Sequence, residues 1–244
     1  MDRRDFLESC SLSAACATST VTAGTVASLA LAGQAIAADA KPKIYGKALL
    51  CNEFGAPIKV SALKAQVNYL FHYPFQSTPV FLLDLGRTAE PVSLNTQDKQ
   101  TYAWPGGVGP RKSLVAFSAI CAHHLVYPTQ QVSFISFRKT KSSKGLQDNL
   151  IHCCADHSQY DPAQGSKVLS GPARQPLCAV LIEYDAKTDS LSAYGTLGGE
   201  LFDEFFKKYE FKLSMTHGSN VKANVLAKAT VTELEKFCSN TVRC

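Results

Sequence analysis

The sequence predicts a mainly β chain, an antiparallel β-sandwich or small barrel with a short helical C-terminal extension. Three observations predict it. Short apolar runs are separated by Gly- and Pro-containing turns. Residues 179–194 read as two strands around a polar turn, and the periodicity becomes helical only after residue 200. The chain has 244 residues, 45% of them hydrophobic and 18% charged, enough to bury a core and too apolar for disorder. A net charge of +5 is too small to indicate nucleic-acid binding.

Taken in order, residues 1–37 carry Arg3-Arg4 followed by Phe6-Leu7, then an uncharged stretch from Ser9 to Ala38 containing Ala35-Ile36-Ala37. This order resembles a bacterial twin-arginine export signal with an A-x-A cleavage site, and implies a periplasmic protein exported already folded around a cofactor. Retained instead of cleaved, the same run is long enough to serve as a membrane anchor; no other stretch is. Residues 80–85 read as a buried strand ended by Gly86, 86–112 as loop, and 114–120 as a second apolar strand ending on Cys121. Residues 132–137 alternate apolar and polar, as a half-buried strand does. Residues 200–211 place Leu201, Phe202, Phe205, Phe206 and Tyr209 on one helical face. Thr232-Glu233-Leu234-Glu235 has the form of a capping box opening a last helix. The expected organisation is a signal over 1–37, one β domain over 38–199 and the helical extension over 200–244.

Two motifs carry chemistry: Cys121-Ala122-His123 and Cys154-Ala155-Asp156-His157. Two thiolates and two imidazoles on two loops suit zinc or an iron–sulfur cluster. The C-x-H and C-x-x-H pair resembles the ligand pattern of the Rieske [2Fe–2S] family, in which each loop gives one Cys and one His. Tyr160-Asp161, Gly165 and Gly171-Pro172-Ala173 resemble the stretch that follows the second ligand pair, where a Gly-Pro loop covers the cluster. Over 80–195 the pattern is most similar to the small subunits of arsenite-oxidase-type molybdenum enzymes. The resemblance implies a small cluster-binding subdomain, with Cys121, His123, Cys154 and His157 as ligands. It also implies that Ser158 and Tyr160 donate hydrogen bonds to the cluster sulfurs.

The sequence departs from that family in three ways. Many members carry an extra Cys in each loop that clamps the two together; Val126 and Asp156 stand in those places, so no clamp is expected. The gap between motifs is long, with the extra length in 131–150. The second motif also has two registers. Alignment back from Tyr160-Asp161 puts Cys153 and Asp156 at the ligand positions, whereas alignment by ligand type puts Cys154 and His157 there. The preference for imidazole selects the latter. In the first motif the C-x-H spacing selects His123 over His124.

The resemblance implies a one-electron carrier, a subunit of an oxidoreductase complex and not a stand-alone catalyst. Its partners would be a molybdenum oxidoreductase large subunit, a cytochrome c, or both. The alternatives are a quinol-oxidising Rieske subunit of a cytochrome bc-type complex, which needs the retained anchor, and a structural zinc module. Arg138, Lys139, Lys141 and Lys144 form a basic loop suited to an acidic partner or simply to solvent. Of nine cysteines, Cys238 and Cys244 are near enough in sequence to bridge in an oxidising compartment, and Cys51, Cys153 and Cys178 have no evident partner. His72, His152 and His217 read as structural.

Overall fold

The computed structural model describes residues 40–139 and 148–244. The export segment and Lys141 and Lys144 of the basic loop lie outside the described residues. Fourteen strands are described. They begin with β1 (Lys43–Cys51), β2 (Tyr69–His72), β3 (Pro79–Asp84), β4 (Val92–Asn95) and β5 (Thr101–Trp104). Next come β6 (Leu114–Ser118), β7 (Ile135–Arg138), β8 (Leu150–Cys153), β9 (Gln159–Asp161) and β10 (Lys167–Ser170). The hairpin β11 (Ala179–Asp185) and β12 (Ser190–Leu197) is followed by helix α1 (Phe202–His217). The chain finishes with β13 (Ala227–Thr230), β14 (Thr232–Glu233) and helix α2 (Leu234–Phe237).

The main sheet has the order β13-β1-β12-β11-β6-β3-β2-β14. Its two edge strands are consecutive in sequence, joined through Val231, so the sheet curls until its edges meet and forms a nearly closed barrel. Curling in this way leaves little unpaired edge. The sheet is antiparallel except at β1–β13, where Ala48 to Cys51 run parallel to Ala227 to Thr230. The expected antiparallel barrel is thus mixed at one seam.

The apolar run of β3 has both faces buried, which is why it does not alternate. Val80 and Leu82 point into the barrel with Leu50, Phe71, Ala116 and Leu191. Phe81 and Leu83 point outward, into a second core with Phe117, Ile135, Ile151 and Tyr160. That second core joins the barrel to a four-stranded sheet of order β10-β9-β8-β7. This smaller lobe is where the second sequence motif lies.

The C-terminal extension is more than helical, since β13 and β14 complete the main sheet. The expected capping box does not form: Thr232 and Glu233 are strand, and α2 has no side-chain cap. Leu234 N–H instead donates to Asn68 O at 2.8 Å, continuing the pairing with β2. Helix α1 buries Phe202, Phe205, Phe206 and Leu213, and its backbone leaves helical geometry at Tyr209. The strand expected over 132–137 begins only at Ile135. Upstream, Ser133 N–H donates to Asn240 O and Val242 N–H to Ser133 O, both 2.9 Å, so that segment pairs with the C-terminal tail.

Candidate metal centre

Two loops meet at the junction of the main sheet and the small lobe. The first leaves β6 and turns at Cys121; the second joins β8 to β9. Their backbones follow the same scheme. Cys121 N–H donates to Val126 O at 2.9 Å, and Leu125 N–H donates back to Cys121 O at 3.0 Å. Cys153 N–H donates to Ser158 O at 2.9 Å, and His157 N–H donates back to Cys153 O at 2.7 Å. Leu125 and His157, each four residues after its Cys, have φ of 56° and 62°. Cys121 and Cys153 are therefore equivalent positions in two copies of one turn.

Both thiols are fully buried. Sγ of Cys121, Sγ of Cys153 and a carboxylate oxygen of Asp156 lie within 4.8 Å of one another. Cys121 Sγ is 3.1 Å from Asp156 Oδ2, and Nδ1 of His123 is 3.0 Å from the same oxygen. His123, His124 and Asp156 form a second such group, so Asp156 is shared by both. The thiols occupy the inner side and the histidines the rim, where both are exposed.

Hydrogen bonding sets the charges. The Cys121 thiol is pushed down, chiefly by its hydrogen bond with Cys153, against the effect of burial. The Cys153 thiol is pushed up by the same bond, because the shared proton stays on it. For Asp156, burial works to raise the carboxyl, but Ser158 N–H and the two thiols together hold it below the usual carboxylate range. Tyr160 is fully buried; its hydroxyl is 3.4 Å from Cys121 Sγ and accepts from Ala122 N–H at 3.2 Å. Ser158 Oγ accepts from Ala173 N–H at 3.2 Å, tying the Gly171-Pro172-Ala173 loop down over the second turn. Gly171 (φ 89°) is required there, since a Cβ would lie 2.4 Å from Ser158 Cα.

The extension braces each loop separately. Lys208 Nζ on α1 donates to His124 O at 2.6 Å, and Phe205 and Tyr209 pack edge-on against Tyr127 at 4.9 and 5.0 Å. The second loop is tied by a disulfide from Cys154 to Cys244, 90 residues away, and Arg138 donates to Val242 O beside it.

The structure thus brings Cys121 and His123 together, with Ser158 and Tyr160 beside them, but does not bring Cys154 or His157 into the group. Cys154 is the first residue of the turn after β8, which ends at Cys153, and its sulfur is spent on Cys244. His157 is exposed, at the left-handed turn position. The residues in their place are Cys153 and Asp156, which the register back from Tyr160-Asp161 indicates. One further expectation is corrected by the same bond, which ties the second loop to the C-terminal tail and not to the first loop: Cys244 pairs with Cys154, while Cys238 is free and buried. Cys51 and Cys178 are buried free thiols, Cys178 with its thiol pushed up by burial. His72 packs against the rings of His217 and Phe237, and His152 is buried on β8.

The donor set fits a metal group. Asp156 has its side chain only 2% exposed, and among the described residues its one ion-pair partner is His123. Hydrogen bonds keep this carboxylate ionised, so it adds an anionic oxygen donor beside the two thiols and His123. Thiolate, imidazole and carboxylate are donors that iron and zinc both accept.

No family model matches the chain. Among solved structures, it is similar to the soluble domain of the Rieske protein II (soxF) from Sulfolobus acidocaldarius. The identity is 27% over 64% of this chain and 82% of that chain, with a TM-score of 0.45.

Proposed function

We propose that this chain is a periplasmic Rieske-type [2Fe–2S] electron-transfer protein. It would pass single electrons between a redox enzyme of molybdenum-oxidoreductase type and a cytochrome-like acceptor. One observation carries the reading: two turns of identical hydrogen-bond scheme converge buried Cys121 and Cys153 on one side and His123 on the exposed side. An inner thiolate pair and an outer imidazole supply three of the four donors of a Rieske centre, which takes two thiolates on one iron and two imidazoles on the other. When bound, the cluster supplies one-electron oxidation and reduction.

The chain's own residues hold and tune it. Cys121 and Cys153 anchor it in the core between barrel and small lobe. His123 stands at the surface, where a partner can approach within electron-transfer range. The Tyr160 hydroxyl is directed at the Cys121 sulfur, and the loop fixed by Ser158 and Gly171 screens the second turn from water. The export-signal resemblance supports the periplasmic address, and the similarity to arsenite-oxidase-type small subunits supports the class of partner.

Iron and acid-labile sulfide analysis of the purified protein tests this reading against zinc. Iron and sulfide in equal amounts, with a coloured protein, are expected. A colourless protein holding one zinc and no sulfide would make the site a structural zinc module.

A further inference from the structure

Given a Rieske-type cluster in this site, the structure assigns the fourth ligand to the Asp156 carboxylate, so the ligand set is two thiolates, one imidazole and one carboxylate. Three observations converge on it. The equivalence of the two turns makes Cys153 the counterpart of Cys121, and Asp156 stands three residues after Cys153, keeping the C-x-x-ligand spacing. The Asp156 side chain is 2% exposed and directed inward, and its Oδ2 faces both Cys121 Sγ and His123 Nδ1 at about 3 Å. Its other oxygen accepts from Ser158 N–H at 2.9 Å, which fixes the carboxylate plane as a metal ligand's neighbours do.

Two rivals exist on the rim. His157 is exposed, and its neighbour Cys154 is bonded away from the site. His124 belongs to the outer group, but it comes from the same loop as His123, which the C-x-H spacing selects, so Asp156 is the second loop's donor to that group.

The assignment has an electronic consequence. A carboxylate brings a negative charge where an imidazole brings none, and extra negative charge on the ligands disfavours adding an electron. The reduction potential therefore lies below that of the same site with two histidines.

The test uses the purified full-length holoprotein, with EPR of the reduced state and potentiometric titration as readouts. Asp156→His is expected to keep a [2Fe–2S] signal with altered g values and a higher potential. Asp156→Asn, which preserves shape and the Ser158 hydrogen bond, is expected to lose the cluster or change the signal. His124→Ala and His157→Gly are expected to leave the signal and potential unchanged. The assignment is overturned if the Asp156 variants match the parent protein while a rim-histidine variant loses the cluster. If the parent protein itself holds no iron and sulfide, the electron-transfer reading fails; if it holds them and is indifferent to Asp156, only the ligand assignment fails.

Discussion

On the proposed reading, Tyr160 would tune the site through a single side chain. Its ring fills a fully buried slot in the core shared by barrel and small lobe, and its hydroxyl reaches the Cys121 sulfur. Hydrogen bonds to cluster sulfurs favour the reduced state. Tyr160→Phe keeps the ring and removes one such bond, worth about 1 kcal/mol, or roughly 40 mV for a one-electron couple. A redox titration should show the potential lower by that order with the cluster retained; an unchanged potential would mean the hydroxyl serves only Ala122. A second residue acts far from the candidate metal centre. His72 is held down to about 4 from 6.5 by burial, aided by nearby His217. Between those values the unfolded chain binds a proton that the folded chain refuses, so stability is full above pH 6.5 and falls as the pH drops toward 4. The loss should approach about 3 kcal/mol. Denaturant midpoints at pH 7 and 4.5 should differ less in His72→Phe than in the parent protein; equal differences would remove His72 as the cause.

At the scale of elements, the C-terminal extension does the bracing that a loop-to-loop disulfide does in many members of the family the sequence resembles. Helix α1 grips the first loop through Lys208, Phe205 and Tyr209, and the tail grips the second through Cys244. A cross-link closing a 90-residue separation restricts the unfolded chain strongly. Its removal in Cys244→Ser should cost about 2–4 kcal/mol and hasten cluster loss on mild heating, followed by bleaching of visible absorbance. Unchanged bleaching would mean that the backbone pairing of Ser133 with the tail suffices. The same elements explain what the sequence could disclose. The β3 and β6 strands were legible as short continuous apolar runs, the β11–β12 hairpin by its polar turn, and the apolar face of α1 by its helical period. The register of the second motif was not, because Cys153 and Cys154 are adjacent and only the turn's backbone pairing decides which points inward. The partner that claims Cys154 lies at the far end of the chain, beyond the reach of local pattern. The strand nature of Thr232 and Glu233 was hidden for the same reason, since a pairing with β2 overrides a capping motif.

At the scale of the whole molecule, the barrel, the small lobe and the extension have a common purpose in holding two turns face to face. Strand β6 of the barrel ends at Ser118 and delivers Cys121; the small sheet delivers Cys153 and Asp156; the outer core with Phe117, Ile151 and Tyr160 fixes their separation. Cys121 and His123 could be nominated from spacing alone, while the other half of the site needed the fold. The central claim is that these turns hold a [2Fe–2S] cluster, and the most direct measurement is the low-temperature EPR spectrum of the purified protein after reduction. A signal from one unpaired electron on a mixed-valence iron pair, absent before reduction, is the expected result. An EPR-silent reduced protein with no visible absorbance change would contradict it.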